Sequence, residues 1–194
     1  MKLAELGSEP IPGDLDLSEE VLIGAGLCGE LPRLAAEHAG PKPLWLADPR
    51  TWGALCAADP HRASGRPEVG PELHLLCEDP HADTEQVGQA CAIVEGGGFS
   101  GIIAVGAGTV NDIAKMAATL SGMPYLVFAT AASMNGYASG IAAILVDGLK
   151  TTLEARPPRA IVLDSAVLAA APPQLAAAGL GDLLSKPVSS ADWW

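Results

Sequence analysis

The residues of this chain able to do chemistry gather in a few short stretches. Gly106-Ala107-Gly108-Thr109-Val110-Asn111-Asp112 joins an apolar run to a helical pattern. Gly106 and Gly108 leave out side chains where a diphosphate would approach. A helix starting here offers unpaired N–H groups at the positive end of its dipole. Thr109 is placed to cap that helix, with Asp112 three residues on as the answering acid of a capping box. A rival lies upstream. Gly24-Ala25-Gly26-Leu27-Cys28-Gly29 also follows an apolar run and opens a helix, and Asp48 stands some twenty residues later at a strand end, where a ribose 2′-hydroxyl would be held. Local physics does not separate the two turns, and each reads equally well as a tight strand-to-helix connection.

A third stretch, Thr130 to Gly140, is rich in hydroxyls and small residues and carries the amide of Asn135. It follows an apolar run, and open α/β sheets bind ligands at the carboxyl ends of their strands. Its hydroxyls and amide suit a ribose or a polyol. The four cysteines, Cys28, Cys56, Cys77 and Cys91, form no Cys-x-x-Cys pair and are expected as reduced, mostly buried thiols of a cytoplasmic protein.

These groups need a frame. Apolar runs at Val21–Ile23, Pro43–Ala47, Leu73–Cys77, Gly101–Val105 and Tyr125–Ala129 alternate with helical patterns at 27–39, 51–58, 83–95 and 109–121. Residues 59–71, with three prolines and two glycines, read as a loop. Ile141–Val146 and Ala160–Leu163 are further strand-like runs, with a turn at Asp147-Gly148 after which 151–153 can pair back onto the first. The alternation predicts an α/β fold, a Rossmann-like parallel sheet with helices on both faces. From Ser165 the chain is helical and alanine-rich. A dinucleotide-binding domain over 1–164 is therefore expected, followed over 165–194 by the start of an all-helical second domain.

Composition narrows the class. The 194 residues carry 11 basic and 23 acidic side chains, a net charge of −12. With no basic cluster, nucleic acid is not an expected partner. No stretch approaches the ~20 apolar residues of a membrane span.

The segments GAGTVNDIAK (106–115), PYLVFATAASMNGYAS (124–139) and AGLGDLLSK (178–186), in this order, together resemble the sn-glycerol-1-phosphate dehydrogenases, part of the iron-containing alcohol dehydrogenase and glycerol dehydrogenase superfamily. The resemblance implies interconversion of sn-glycerol 1-phosphate and dihydroxyacetone phosphate, a small phosphorylated polyol as substrate, and NAD or NADP as cofactor. It implies that the diphosphate sits on the second glycine turn, making Gly106, Ala107, Gly108, Thr109 and Asp112 the cradle, with Asp48 facing the adenosine ribose. Thr130 and Ser133 match positions near the nicotinamide, as does Ser139 more weakly, and Asn135 matches one facing substrate hydroxyls. Asp182 matches a carboxylate that, with two histidines farther along, holds one divalent metal (zinc, nickel or iron), whose Lewis acidity polarises the substrate oxygen. A homo-oligomer is a further expectation.

One departure matters. The histidines here are His38, His61, His74 and His81, all upstream of the second turn. The chain is therefore expected to be an incomplete form of the enzyme, with little turnover by itself. The alternatives are a non-catalytic nucleotide-binding module, or a relative with dehydroquinate-synthase-like or plain polyol dehydrogenase chemistry. No phosphate-binding role is assigned to Lys115, Lys150 or Lys186.

Overall fold

The computed structural model describes residues 18–59 and 72–191. Most of the expected 59–71 loop, with His61, lies outside the described residues, as does Trp193-Trp194. Eight strands are described: β1 (Glu20–Gly24), β2 (Pro43–Ala47), β3 (Glu72–Leu75), β4 (Gly101–Gly106), β5 (Tyr125–Ala129), β6 (Ile141–Val146), β7 (Leu149–Glu154) and β8 (Ala160–Asp164). The helices are α1 (Leu31–Leu34), α2 (Pro49–Ala58), α3 (Thr84–Gly97), α4 (Gly108–Leu120), α5 (Ser165–Ala170) and α6 (Pro173–Ala191).

Six strands form one parallel sheet in the order β1-β8-β5-β4-β2-β3. Its central strands are apolar at successive positions because both faces are covered. Leu44, Leu46, Ile102, Ala104, Val127 and Ala129 point to one side, where they meet Val87, Ala90 and Val94 of α3 and Ile113, Ala114 and Ala117 of α4. The intervening residues Trp45, Ala47, Ile103, Val105, Leu126 and Phe128 point to the other, against Leu31, Leu34, Leu55 and Val167. A side chain of this size contributes about 1.5–3 kcal/mol when fully buried. The expected α/β architecture with two covered faces is what the chain adopts.

The order of strands makes a crevice. β3 lies outward of β2, whereas β4, β5 and β8 follow on its other side. The helices after the adjacent strands β2 and β4 consequently lie on opposite faces: Leu55 of α2 joins one core and Ile113 of α4 the other. Ligands of open α/β sheets bind at such a switch point, beyond the carboxyl ends of the strands.

Three local expectations change. The single helix expected over 27–39 is a 3₁₀ turn (Leu27–Glu30), α1 and a π turn (Ala35–Ala39). Pro32 has no N–H to offer the Cys28 carbonyl, so Leu31 takes that acceptor at the shorter spacing. The strand expected to reach Cys77 ends at Leu75, leaving Cys77 exposed. Cys28 is the one buried thiol, and Cys56 and Cys91 are half-buried. The run 141–146 pairs antiparallel with the whole of β7, as a separate two-stranded ribbon. Asp147 and Gly148 turn it with φ of 50° and 80°, the signature of a type I′ hairpin. Among the described residues no helix is long and apolar enough to cross a membrane.

Candidate functional site

The crevice between β2 and β4 opens into a cavity of about 820 Å³, within the usual size of small-molecule sites. Asp48, Arg50 and Thr51 line one wall, Ala107, Gly108, Thr109 and Val110 the floor, and Thr130, Ala131 and Ser133 the far side, with Val167 and Leu175 closing it from α5 and α6.

The floor is the start of α4, which differs from α2, α3 and α5 in its cap. Asp48 caps α2, accepting from the N–H groups of Arg50 (2.8 Å) and Thr51 (2.9 Å). Asp83 caps α3 through the Gln86 N–H at 2.8 Å. Asp164 caps α5 through the Ala166 N–H at 3.0 Å. At α4 the N-cap is Ala107, with no side-chain cap. The first N–H groups of α4 therefore face the cavity without an acid of their own, and an anion there gains about 0.3–1 kcal/mol from the helix end, more when partly buried. Thr109 is not the cap expected of it. Asp112 does not close a capping box either, because its Oδ2 accepts from the Ala143 N–H of β6 at 3.3 Å.

The two glycines differ in their reasons. A Cβ on Gly106 would fall within 2.8–2.9 Å of the Val110 methyls, so the fold itself excludes a side chain. A Cβ on Gly108 meets only the Met134 Sδ, at 3.5 Å, an ordinary contact. The bare backbone at Gly108 thus leaves room that packing does not use.

The rival turn at Gly24–Gly29 is not short of room, since a Cβ on Gly26 or Gly29 would meet nothing within 4 Å. Its helical start is already served by an internal carboxylate: Asp164 Oδ2 accepts the Leu27 N–H at 2.6 Å and the Cys28 thiol at 3.8 Å. None of its glycines lines the cavity. The structure separates what local sequence physics left equal.

Asp48 is buried at the cavity wall. Among the described residues both hydrogen bonds to its carboxylate fall on Oδ1, so Oδ2 remains for a ligand hydroxyl. Thr130 and Ser133 reach the opposite side of the cavity. Asn135 meets Asp182 through its backbone, its N–H donating to Asp182 Oδ2 at 2.9 Å. Lys186 Nζ lies 3.6 Å from the other carboxylate oxygen. This contact depends on Gly179, where a Cβ would fall 2.9 Å from the Ala132 carbonyl carbon and 3.2 Å from that of Ser133. α6 therefore packs backbone to backbone on the loop.

Gly106, Asp112, Asn135, Ser139 and Asp182 are not at the cavity wall. Ser139 serves a different purpose. Lys115, fully buried, donates to the carbonyls of Gly136 (3.1 Å), Ser139 (2.9 Å) and Ile141 (3.0 Å) and to Ser139 Oγ (3.1 Å). It holds the loop from behind. Burial pushes its ammonium down to about 8, against the pull of Asp112. Burial also raises the Asp112 carboxyl, with Lys115 opposing. Tyr137 pins the same loop through its hydroxyl on the Ala131 carbonyl at 2.7 Å.

A metal has a poorer fit. Asp182 is joined by no histidine in any metal-binding group among the described residues. The one such group, Glu20, Glu37 and His38, already surrounds a cation, since Arg33 pairs with Glu20 at 2.8 Å and Glu37 at 2.6 Å. Sequence reasoning passed over Arg50, Thr51, Lys115 as a loop anchor, and Gly179. Of these, Thr51 had a readable signal, a hydroxyl three residues after the capping aspartate.

Comparison with known proteins identifies relatives of the chain. The chain is similar to the glycerol-1-phosphate dehydrogenase, NAD(P)+, of Bacillus velezensis, with 35% identity over 177 residues, 90% of this chain and 45% of that protein. It is similar to the enzyme of the same name from Thermococcus kodakarensis, with 33% identity over 180 residues, 92% of this chain and 50% of that protein. It spans about half the length of these curated relatives. Among solved structures it resembles a probable glycerol dehydrogenase from Sinorhizobium meliloti 1021, with a TM-score of 0.74 and 26% identity over 89% of this chain and 46% of that one. Residues 22–172 match the description iron-containing alcohol dehydrogenase. The chain belongs to the iron-containing alcohol dehydrogenase family.

Proposed function

We propose that this chain is the nucleotide-binding part of an NAD(P)-dependent glycerol-1-phosphate dehydrogenase, an oxidoreductase of cytoplasmic setting interconverting sn-glycerol 1-phosphate and dihydroxyacetone phosphate. The observation that carries the reading is the uncapped start of α4, open to the cavity where α2, α3 and α5 are closed by their own aspartates. Curated relatives bearing that activity support the substrate.

The bound nicotinamide supplies hydride transfer. The chain's residues supply placement. The N–H groups at Gly108 and Thr109 hold the diphosphate, Asp48 Oδ2 accepts from the adenosine ribose, and Thr130 and Ser133 bound the nicotinamide end. Asn135 and Asp182 face the substrate, on a loop anchored by Lys115 and Tyr137. Residues 165–191 are read as the first helices of a helical, metal-binding part. Asp182 alone does not make a metal site, and no step is derived through a metal. A homo-oligomer belongs to the same reading.

The test is binding of NADH followed by calorimetry. Gly108→Val places a branched side chain over the helix start, its Cβ meeting nothing closer than the Met134 Sδ at 3.5 Å. It is expected to weaken binding more than tenfold while the melting temperature holds. Equal affinities in parent and variant would remove the diphosphate from this turn. With Asp182 as its sole ligand among the described residues, the chain is expected to show little oxidation of glycerol 1-phosphate. Robust, chelator-sensitive turnover would contradict that.

A further inference from the structure

The reading above leaves open how the adenosine end treats a ribose carrying a 2′-phosphate. That end holds more than Asp48. Arg50 lies two residues on, lines the same cavity, and has its own N–H bonded to Asp48 Oδ1. Its backbone is thereby fixed beside the carboxylate that would meet the ribose. An arginine so placed has the fork that matches phosphate geometry. Its guanidinium, however, is engaged elsewhere: Nη2 lies 3.2 Å from Asp79 Oδ1, across the mouth of the cavity. Asp79 lines the cavity too, and a hollow of about 420 Å³ beside it is walled by Pro49, Arg50, Glu78 and Asp79. Among the described residues lining the cavity and the adjoining hollow, the charges are thus Asp48, Glu78 and Asp79 against Arg50.

Resting on the reading of the cavity as a nucleotide site, we propose that Asp79 sets cofactor choice by withholding Arg50 from a 2′-phosphate, so that this chain prefers NADH to NADPH. Two features make the device adjustable. The pair is largely exposed, 69% and 86% at the two side chains, so it is weak in itself and breaks at small expense. A 2′-phosphate brings a stronger attraction for the guanidinium than one solvated carboxylate, yet it must also approach Asp48 and Glu78. Removing Asp79 acts on both sides of that balance. It frees the fork and takes away one repelling charge.

The experiment measures the NADPH-to-NADH affinity ratio by calorimetry for the parent, Asp79→Asn, Arg50→Ala and the double variant, with thermal melts to check folding. The parent is expected to bind NADH about tenfold or more tightly than NADPH, by one unfavourable charge pair in a half-buried setting. Asp79→Asn is expected to shift the ratio about threefold towards NADPH, the scale of an exposed charge pair, and the double variant to lose that shift. A parent that binds both equally, a ratio unmoved in Asp79→Asn, or a shift persisting in the double variant each overturns the proposal while leaving the cavity as a nucleotide site. Failure of the parent to bind either nucleotide overturns the nucleotide site itself, and this proposal falls with it.

Discussion

Two glycines on α6, two residues apart, should respond to the same substitution in opposite ways. At Gly179 a Cβ lands on the backbone of Ala132 and Ser133, well inside contact distance. Backbone cannot rotate away, so α6 must retreat by about 1 Å to reach ordinary packing distances. Such overpacking costs about 1–3 kcal/mol. The retreat also breaks the 2.9 Å bond between the Asn135 N–H and Asp182, worth about 1 kcal/mol at a carboxylate that is one-third exposed. Alanine returns about 1 kcal/mol of helix propensity. The net is about 2 kcal/mol against docking, or about a thirtyfold rise in local opening. At Gly181 a Cβ meets nothing within 4 Å, so Gly181→Ala keeps only the propensity gain. Hydrogen exchange reads both. Gly179→Ala should accelerate exchange of the Asn135 amide and of the α6 amides around Asp182 by about thirtyfold, leaving β4 and β5 unchanged. Gly181→Ala should slow the α6 amides. The reasoning fails if the two variants move α6 in the same direction, or if the Asn135 amide is as protected in Gly179→Ala as in the parent.

Other perturbations follow from the same contacts. Lys115→Met removes the ammonium shared by the carbonyls of Gly136, Ser139 and Ile141, leaving only the Ser139 hydroxyl for those of Gly136 and Ile141, and should lower stability by about 2–4 kcal/mol in urea melts, with the loss of order concentrated in residues 136–141. Asp164→Ala removes the carboxylate that serves both Leu27 and α5, and should cost about 2 kcal/mol, twice a typical cap; Asp164→Asn should recover part of it. The Glu20 carboxyl is held down at about 2 by Arg33 first and His38 next. Its folded-state value is below the unfolded one, so its contribution is present above pH 4.5 and is lost as pH falls towards 2. Acid titration of stability should therefore be shallower in Glu20→Gln than in the parent.

The architecture was legible because the central strands of a doubly covered sheet are apolar at successive positions, as in Ile102-Ile103-Ala104-Val105. The second glycine turn, the Thr130 loop and the Asp182 segment could be picked out as pieces. Their assembly was less visible. Whether a strand-to-helix turn is open or filled depends on what a distant strand end brings to it, and nothing near Gly24 in sequence announces Asp164. The same holds for Asp112 and Ser139. Both sit in motifs that suggest a ligand, yet their partners are a hairpin amide and a buried ammonium 31 and 24 residues away. Pro32 was readable in principle, since a missing N–H in a second turn is a local fact. Gly179 was not, because its need for a bare Cα arises from a loop more than forty residues earlier.

The reach of α4 has a mechanical consequence. Its first turn faces the cavity floor, and two turns later Lys115 grips the loop that carries Ser133 and Asn135. On the proposed reading, one rigid rod would gauge the spacing between a dinucleotide on its tip and whatever the loop presents to it. Thermal motion of this rod carries both ends together, so the separation across which a hydride would pass is preserved even as the whole assembly breathes. Loosening the grip at Lys115 would let that separation drift while the floor of the cavity stayed intact.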